Sequence, residues 1–319
     1  MKYKLGTNYI SGINEEVYKV LLKSNYIEIL KYPGISGAFE ELEKFVNCVL
    51  RLDAQIDIHG IPGCRPATHD KDFINNVEWT KLKEYLRPIK DKINVYSTHI
   101  GTFNSATEKN LYTIHEKEKS DEIYNNNIKE LRKRLNNIAG HDVYIGGEMQ
   151  SGGFGIDLEV LKPEFISASW ESLDFGVIDY AHMSTGAKDL NITLEEYISR
   201  LTDKDKVKIM HVSGNELNKT NPDAHTCISK NEMYKILEVI KNFKNIEKIL
   251  LEFCFEYKYS KEKEMVISIV TLKHMIENQN IHVYDYIEQN LQNDCSNLQE
   301  ILDNISNINF MGRKKGREV

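Results

Sequence analysis

Short runs rich in β-branched and aromatic residues alternate with amphipathic segments over most of the chain. The runs predict strands at Tyr3–Thr7, Tyr26–Leu30, Gln55–His59, Asn94–Thr98, Asp142–Ile145, Phe175–Asp179, Lys206–Met210 and Glu247–Leu251. Between them apolar residues recur at helical spacing. Phe39, Leu42, Phe45, Val46, Val49 and Leu50 form one such face, and Met233, Tyr234, Ile236, Leu237, Val239 and Ile240 another. A strand followed by a helix, repeated in series, implies parallel pairing through right-handed crossovers. Eight such units within about 270 residues have the size of an α/β fold of the (β/α) TIM barrel type. The rival architecture is an open doubly wound sheet, but no GxGxxG follows the first strand.

Only six prolines occur in 319 residues, and no Pro/Gly/Ser-rich linker divides the chain. The expected organisation is a barrel over residues 1–278 and a C-terminal extension over 279–319. In the extension, Val283, Tyr284, Ile287 and Leu291, then Leu298, Ile301, Leu302 and Ile305, predict extra C-terminal helices. The basic stretch Gly312–Arg317 (GRKKGR) reads as a solvated tail.

Composition narrows the class without choosing a chemistry. The 41% hydrophobic and 28% charged content is that of a globular protein with a sizeable core. No apolar run reaches the roughly 18 residues that cross a membrane, and the start lacks the apolar region of a secretory signal. A cytoplasmic location is the expectation. Cys48, Cys64, Cys227, Cys254 and Cys295 are scattered, with no CxxC pair, and read as reduced structural thiols. The balance of 41 basic and 48 acidic residues, −7 overall, argues against a sequence-independent grip on a nucleic-acid backbone but permits a local basic groove.

The chemistry lies at the strand ends. The third strand ends on His59, the fourth on His99, the fifth on Glu148 in GGEMQ, and the sixth on Asp179 with His182 in IDYAHM. The seventh ends on His211, followed by Asp223 and His225 in PDAH, and the eighth runs into Glu252 in LLEF. Strand C-termini of a barrel converge on one rim, where active sites sit. By contrast His69, His115, His141, His274 and His282 fall in loops or helices and read as ordinary polar residues. Carboxylates such as Glu148, Asp179 and Glu252 in apolar strand contexts need a compensating cation. Mixed imidazole and carboxylate ligands fit zinc, manganese or iron better than magnesium or calcium. So many ligands exceed one ion, and two or three divalent metal ions are implied, zinc first.

The order His, His, Glu, Asp-x-x-His, His, Asp-x-His, Glu resembles the metal-site pattern of the endonuclease IV (AP endonuclease family 2) branch of the xylose-isomerase-like TIM barrels. The resemblance covers roughly residues 1–260 and is most specific in IDYAHMSTGAKDL, HVSGN…PDAH and LLE. It implies one metal on His59, His99 and Glu148. A second would share Glu148 and add Asp179, His211 and Glu252, and a third would take His182, Asp223 and His225. The implied activity is phosphodiester hydrolysis at abasic sites in DNA, with a metal-bridging hydroxide as nucleophile. Glu148 would bridge two ions and Glu252 would orient the nucleophile. The loops that would meet DNA read NYISGINEE, KYPGISGAF and GIPGCRPATHDKDF, with Tyr9, Tyr32 and Arg65 as candidate contacts.

Two other functions fit the same pattern. Sugar isomerases and epimerases of that superfamily use a Glu, Asp, His, Glu set around one metal, which Glu148, Asp179, His211 and Glu252 would supply for a small sugar substrate. Multinuclear non-haem iron oxidases acting on a peptide also use a barrel with several His, Asp and Glu ligands. HVSGN…PDAH is loosely similar to theirs.

Overall fold

The computed structural model describes residues 2–34, 38–63, 68–69, 73–101, 114–151, 158–214, 225–253, 261–278 and 280–307. Eight strands close into one parallel barrel in chain order: β1 Lys4–Asn8, β2 Ile29–Tyr32, β3 Gln55–His59, β4 Val95–His99, β5 Tyr144–Glu148, β6 Phe175–Asp179, β7 Val207–Val212 and β8 Lys248–Leu251. Closure comes from β1 pairing with β8, Lys4 opposite Lys248 through Thr7 opposite Leu251. The helices are α1 Glu15–Lys23, α2 Phe39–Leu52, α3 Trp79–Leu86, α4 Ile114–Ala139, α5 Leu158–Leu161, α6 Pro163–Trp170, α7 Tyr180–Asp189, α8 Leu194–Arg200, α9 Lys230–Lys241, α10 Lys261–Asn278, α11 His282–Asn290 and α12 Leu298–Asn307.

Several helices begin at a side-chain cap. Asn14, Thr193 and Ser229 each accept a backbone N–H in the first turn of α1, α8 and α9, and Ser229 with Glu232 completes a capping box. In α2, Leu42, Phe45, Val46 and Val49 are buried, while Leu50 is 47% exposed. Tyr234 of α9 is likewise exposed beside buried Met233. Both stand one residue, about 100° of helix, beyond the packed stripe, so the apolar face is narrower than the pattern predicted.

The strands β3 and β6 lie where the pattern predicted, and the other six are displaced by one to three residues at an end. Tyr26 and Ile27 are buried and apolar but belong to the turn that closes α1, where both backbone N–H groups bond to the Leu21 carbonyl. At β5 pairing continues through Gly146 and Gly147 to Glu148, residues of low strand propensity that a search for β-branched runs passes over. Gly146 is there for space: a Cβ would stand 2.0 Å from the Phe175 ring.

Two layers of packing result. One large cluster joins the strands' outward faces to the helices, and it includes Val283 and Ile287 of α11 and Leu298, Ile301, Leu302 and Ile305 of α12. A second, small cluster of Ile29, Phe175, Val177, Ile209 and Leu250 fills the barrel interior. Above it, towards the strand C-termini, the interior turns polar. No described helix is long and apolar enough to cross a membrane, and Cys48, Cys227 and Cys295 are buried free thiols.

Candidate metal centre

Strand register decides which side chains enter the barrel. His99 pairs with Glu148, Asp179 with His211, and Lys31 with both Asn8 and Asp57, so these residues share an inward face. On β3 the inward residues are Asp57 and His59. Asp179 ends β6 and is also the N-cap of α7, accepting the His182 N–H at 2.7 Å through Oδ1. The Asp-x-x-His spacing is therefore that of a helix cap, which puts both side chains over the rim without an intervening loop. The second oxygen of Asp179 is buried and accepts no hydrogen bond from the described residues. After β7, Gly214 and Thr226 form an antiparallel bridge that returns the chain to the rim at His225, whose backbone adopts a left-handed φ of 45°. Asp223 and Arg65 lie outside the described residues.

Glu148 is the centre of the arrangement. It is fully buried, and among the described residues no donor reaches either oxygen with hydrogen-bond geometry. Four imidazole nitrogens surround it: His211 Nδ1 at 3.0 Å, His59 Nε2 at 3.3 Å, His182 Nδ1 at 3.5 Å and His99 Nε2 at 3.8 Å. Two ligand atoms each about 2.1 Å from one ion, at about 90–110°, stand about 3.0–3.4 Å apart. The separations of His211 and His59 from Glu148 are thus those of ligands sharing a cation, and those of His182 and His99 are slightly longer. Three groups have ligand atoms within 4.8 Å of one another: His59, Glu148 and His211; His99, Glu148 and His182; Asp179, His211 and Glu252. The buried residues present fit divalent metal ions. Asp179, His211 and Glu252 stand together, and around Glu148 the Nε2 atoms of His59 and His99 both face Oε2 while the Nδ1 atoms of His182 and His211 face Oε1.

Partners behind the ring hold these groups in place. His59 Nδ1 lies 3.0 Å from Ser97 Oγ, which leaves Nε2 directed at Glu148. His182 Nδ1 lies 2.9 Å from the Met149 carbonyl, fixing the ring against β5. Such contacts set the tautomer of a metal-ligating histidine. Glu252 stands just past β8, where Asn8 donates to the Phe253 carbonyl at 2.9 Å and accepts the Phe253 N–H at 3.0 Å. Glu252 Oε1 is 2.9 Å from His211 Nδ1 and in contact with Lys31 Nζ, and Oε2 is 3.5 Å from His225 Nδ1. Ser97, Asn8 and Lys31 were not singled out from the sequence. Only Lys31 carried a signal, a charge in the apolar run ILKY.

Electrostatics and geometry agree. Burial holds His59 well below its ordinary value, helped by the Lys31 charge and opposed by Glu148. Burial lowers His211 as well. Both are neutral imidazoles at pH 7, the form that binds metal. For Glu148 burial pushes upward, but protons on His211, His59 and His99 would outweigh it and favour the carboxylate. The tendencies compete inside one cluster, since burial keeps those protons off. A divalent cation satisfies both, pairing with the carboxylate and with neutral nitrogen.

Of the candidate loop contacts, Tyr32 is 1% exposed and packs on Phe45, so it belongs to the core rather than to a substrate surface. Tyr9 is half-buried and packs on Tyr18 and Phe45. His69, His141 and His274 have structural partners: the Tyr124 ring, the Ile93 carbonyl and the Tyr26 hydroxyl.

Solved structures share this architecture. A xylose isomerase domain-containing protein from Salmonella typhimurium LT2 is 13% identical with a TM-score of 0.55, over 86% of this chain and 98% of that one. The shared fold is the closed, eight-stranded parallel (β/α) TIM barrel. The 3-keto-D-glucoside 4-epimerase YcjR from E. coli is 12% identical with a TM-score of 0.53, over 85% and 99% of the two chains. D-psicose 3-epimerase from Clostridium cellulolyticum H10, solved with D-tagatose, is 11% identical with a TM-score of 0.50, over 96% and 99%. No protein-family model and no curated protein sequence matches the chain. At these identities the likeness is one of fold.

Proposed function

We propose that this xylose-isomerase-like barrel is a multinuclear metal-dependent hydrolase of phosphodiesters, with an abasic-site DNA duplex as the first substrate to test. The observation that carries the proposal is the sharing of Glu148 between two ligand groups, His59 with His211 and His99 with His182. A single-metal centre has no use for that many buried imidazoles. Divalent ions supply, when bound, a nucleophile from water at neutral pH and neutralisation of charge on phosphoryl oxygens. The chain's own part is positioning. Glu148 stands 3.0–3.8 Å from the imidazoles of both groups, Asp179 couples the α7 terminus to the rim, and Glu252 stands between His211, His225 and Lys31.

The test is elemental analysis of protein purified without added metal, alongside cleavage of an abasic-site duplex and of bis(4-nitrophenyl) phosphate. Two or more zinc or manganese ions per chain with metal-dependent cleavage support the reading. A single ion with no phosphodiesterase activity overturns it, and so does iron with oxygen uptake on a peptide.

A second reading, a sugar epimerase or isomerase, has its own support. Asp179, His211 and Glu252 form a ligand group without the other histidines, with Glu148 3.0 Å from His211. Two of the similar structures are sugar epimerases. One ion per chain, with ketose epimerisation that survives His99→Ala, is the outcome that selects this reading.

A further inference from the structure

Two buried polar side chains lie one layer beyond the ring of histidines and carboxylates. On β5, Gly146 faces the barrel interior against Phe175 and Gly147 faces outward against Leu173 and Ile100, so Glu148 faces inward again. Pairing continues past the end of β5, because the Met149 N–H bonds to the Val177 carbonyl, and Met149 joins the outward packing. Alternation then turns Gln150 inward. The register of Glu148 opposite Val177, advanced by two residues, sets Gln150 level with Asp179 on β6. On β7, Ile209 belongs to the interior cluster and Val212 to the outward one, so Ser213 follows His211 inward. Alternate strands of a barrel fill one layer together. Glu148 and His211, from β5 and β7, meet at 3.0 Å in such a layer. Gln150 and Ser213, each two residues further on, stand in the next layer towards the mouth.

Both side chains are buried, Gln150 at 2% exposure and Ser213 at 0%. Among the described residues no donor reaches Gln150 Oε1 and no partner reaches Ser213 Oγ. Buried polar atoms are as a rule matched, and the ends of barrel strands are where substrate is held. The chemistry of the two atoms narrows the match. A carboxamide oxygen only accepts, and a serine hydroxyl accepts or donates. An ionised phosphodiester offers acceptors alone. The group suited to Gln150 is thus a donor on the organic part of the substrate, and a hydroxyl is the donor that a sugar phosphate carries.

We propose that Gln150 and Ser213 are specificity-determining residues that hydrogen-bond a sugar hydroxyl of the substrate above the metal centre. The assignment of that hydroxyl to a sugar phosphate rests on the hydrolase reading. The placement of the two side chains rests on strand register.

The experiment compares the metal-loaded full chain with Gln150→Met and Ser213→Ala. Calorimetry measures binding of 2-deoxyribose 5-phosphate and of its analogue without the C1 hydroxyl. Kinetics use the abasic-site duplex and its tetrahydrofuran counterpart, which lacks the same hydroxyl, and metal content is measured throughout. Wild type is expected to favour the hydroxylated member at least about tenfold, both in binding and in kcat/KM. Each substitution should cut both preferences to about threefold or less while metal content holds. Should Gln150→Met fail to fold, Ser213→Ala, the smaller change, carries the same readouts. A wild type without the preference overturns the proposal, since the two groups would then hold ordered water only. So does a preference that survives either substitution, or failure to bind either sugar phosphate. Loss of metal in step with the preference also overturns it, by making the pair supports of the metal centre. The two readings fail separately. A hydroxyl preference in binding that depends on Gln150 and Ser213, without cleavage of either duplex, defeats the hydrolase. Cleavage of both duplexes without the preference defeats this inference.

Discussion

Replacing Glu148 with glutamine tests the centre at its most connected point. The substitution preserves shape and removes one buried charge. Without metal, the wild-type carboxylate is fully buried and accepts no well-formed hydrogen bond from the described residues, so removing its charge should leave the metal-free protein at least as stable. With metal the sign reverses. Even residues that merely orient a ligand are worth about 10–100-fold in metal affinity, so loss of a ligand shared by two groups should cost about 100-fold or more for each ion. A 100-fold loss removes about 2.7 kcal/mol of metal-linked stability. For 319 residues the unfolding entropy near Tm is about 0.7 kcal/mol per degree, so each affected ion contributes about 4 °C. Thermal unfolding with and without saturating zinc, on wild type and Glu148→Gln, reads both effects. The metal-induced rise in Tm should shrink by about 4–8 °C while the metal-free Tm holds or rises. A variant that keeps the full metal-induced shift but loses metal-free stability would refute the reasoning. Glu148 would then be a structural anchor for four histidines.

Three further outcomes follow from the same geometry. His99→Ala should remove one ion and lower phosphodiesterase activity at least about 100-fold, leaving an ion on the Asp179, His211 and Glu252 group, as metal analysis would show. Asn8→Ala breaks both hydrogen bonds to Phe253 behind Glu252; about 1–3 kcal/mol of stability should be lost in urea unfolding, with weakened metal binding. His69, buried and stacked on Tyr124, is held down to about 4 from an ordinary 6.5. Its unfolded form takes up a proton across that window and its folded form does not. Its contribution is therefore full above pH 6.5 and is lost as pH falls towards 4, about 3 kcal/mol in all. His69→Phe, which keeps the stacking, should flatten urea-measured stability between those pH values, and an unchanged slope would count against the assignment.

The order of elements was legible because each unit declares itself locally. Gln55–His59 and Phe175–Asp179 are short apolar runs with a chemical residue at their end, and α11 and α12 show helical periodicity in the predicted places. The misplaced strand ends share a physical cause. Tyr26 and Ile27 are apolar for packing in a turn, and Gly146 and Gly147 are paired despite weak propensity. Hydrogen-bond pairing with a neighbouring strand decides an end, and it is not encoded within the strand's own residues.

At the site, the sequence by itself determined the candidate donors, because ligand chemistry resides in residue type and strand-end position. It named His59, His99, Glu148, Asp179, His182, His211, His225 and Glu252, and the barrel brings these to one rim. Only the tertiary structure decided which of them stand together, with Glu148 among four imidazoles. It also decided that Tyr32 belongs to the core and that Lys31, from a strand with no ligand of its own, reaches Glu252. The reason is closure. Residues 221 positions apart in the chain become neighbours only when β1 and β8 pair, and the inward direction of a side chain is set by register across eight strands.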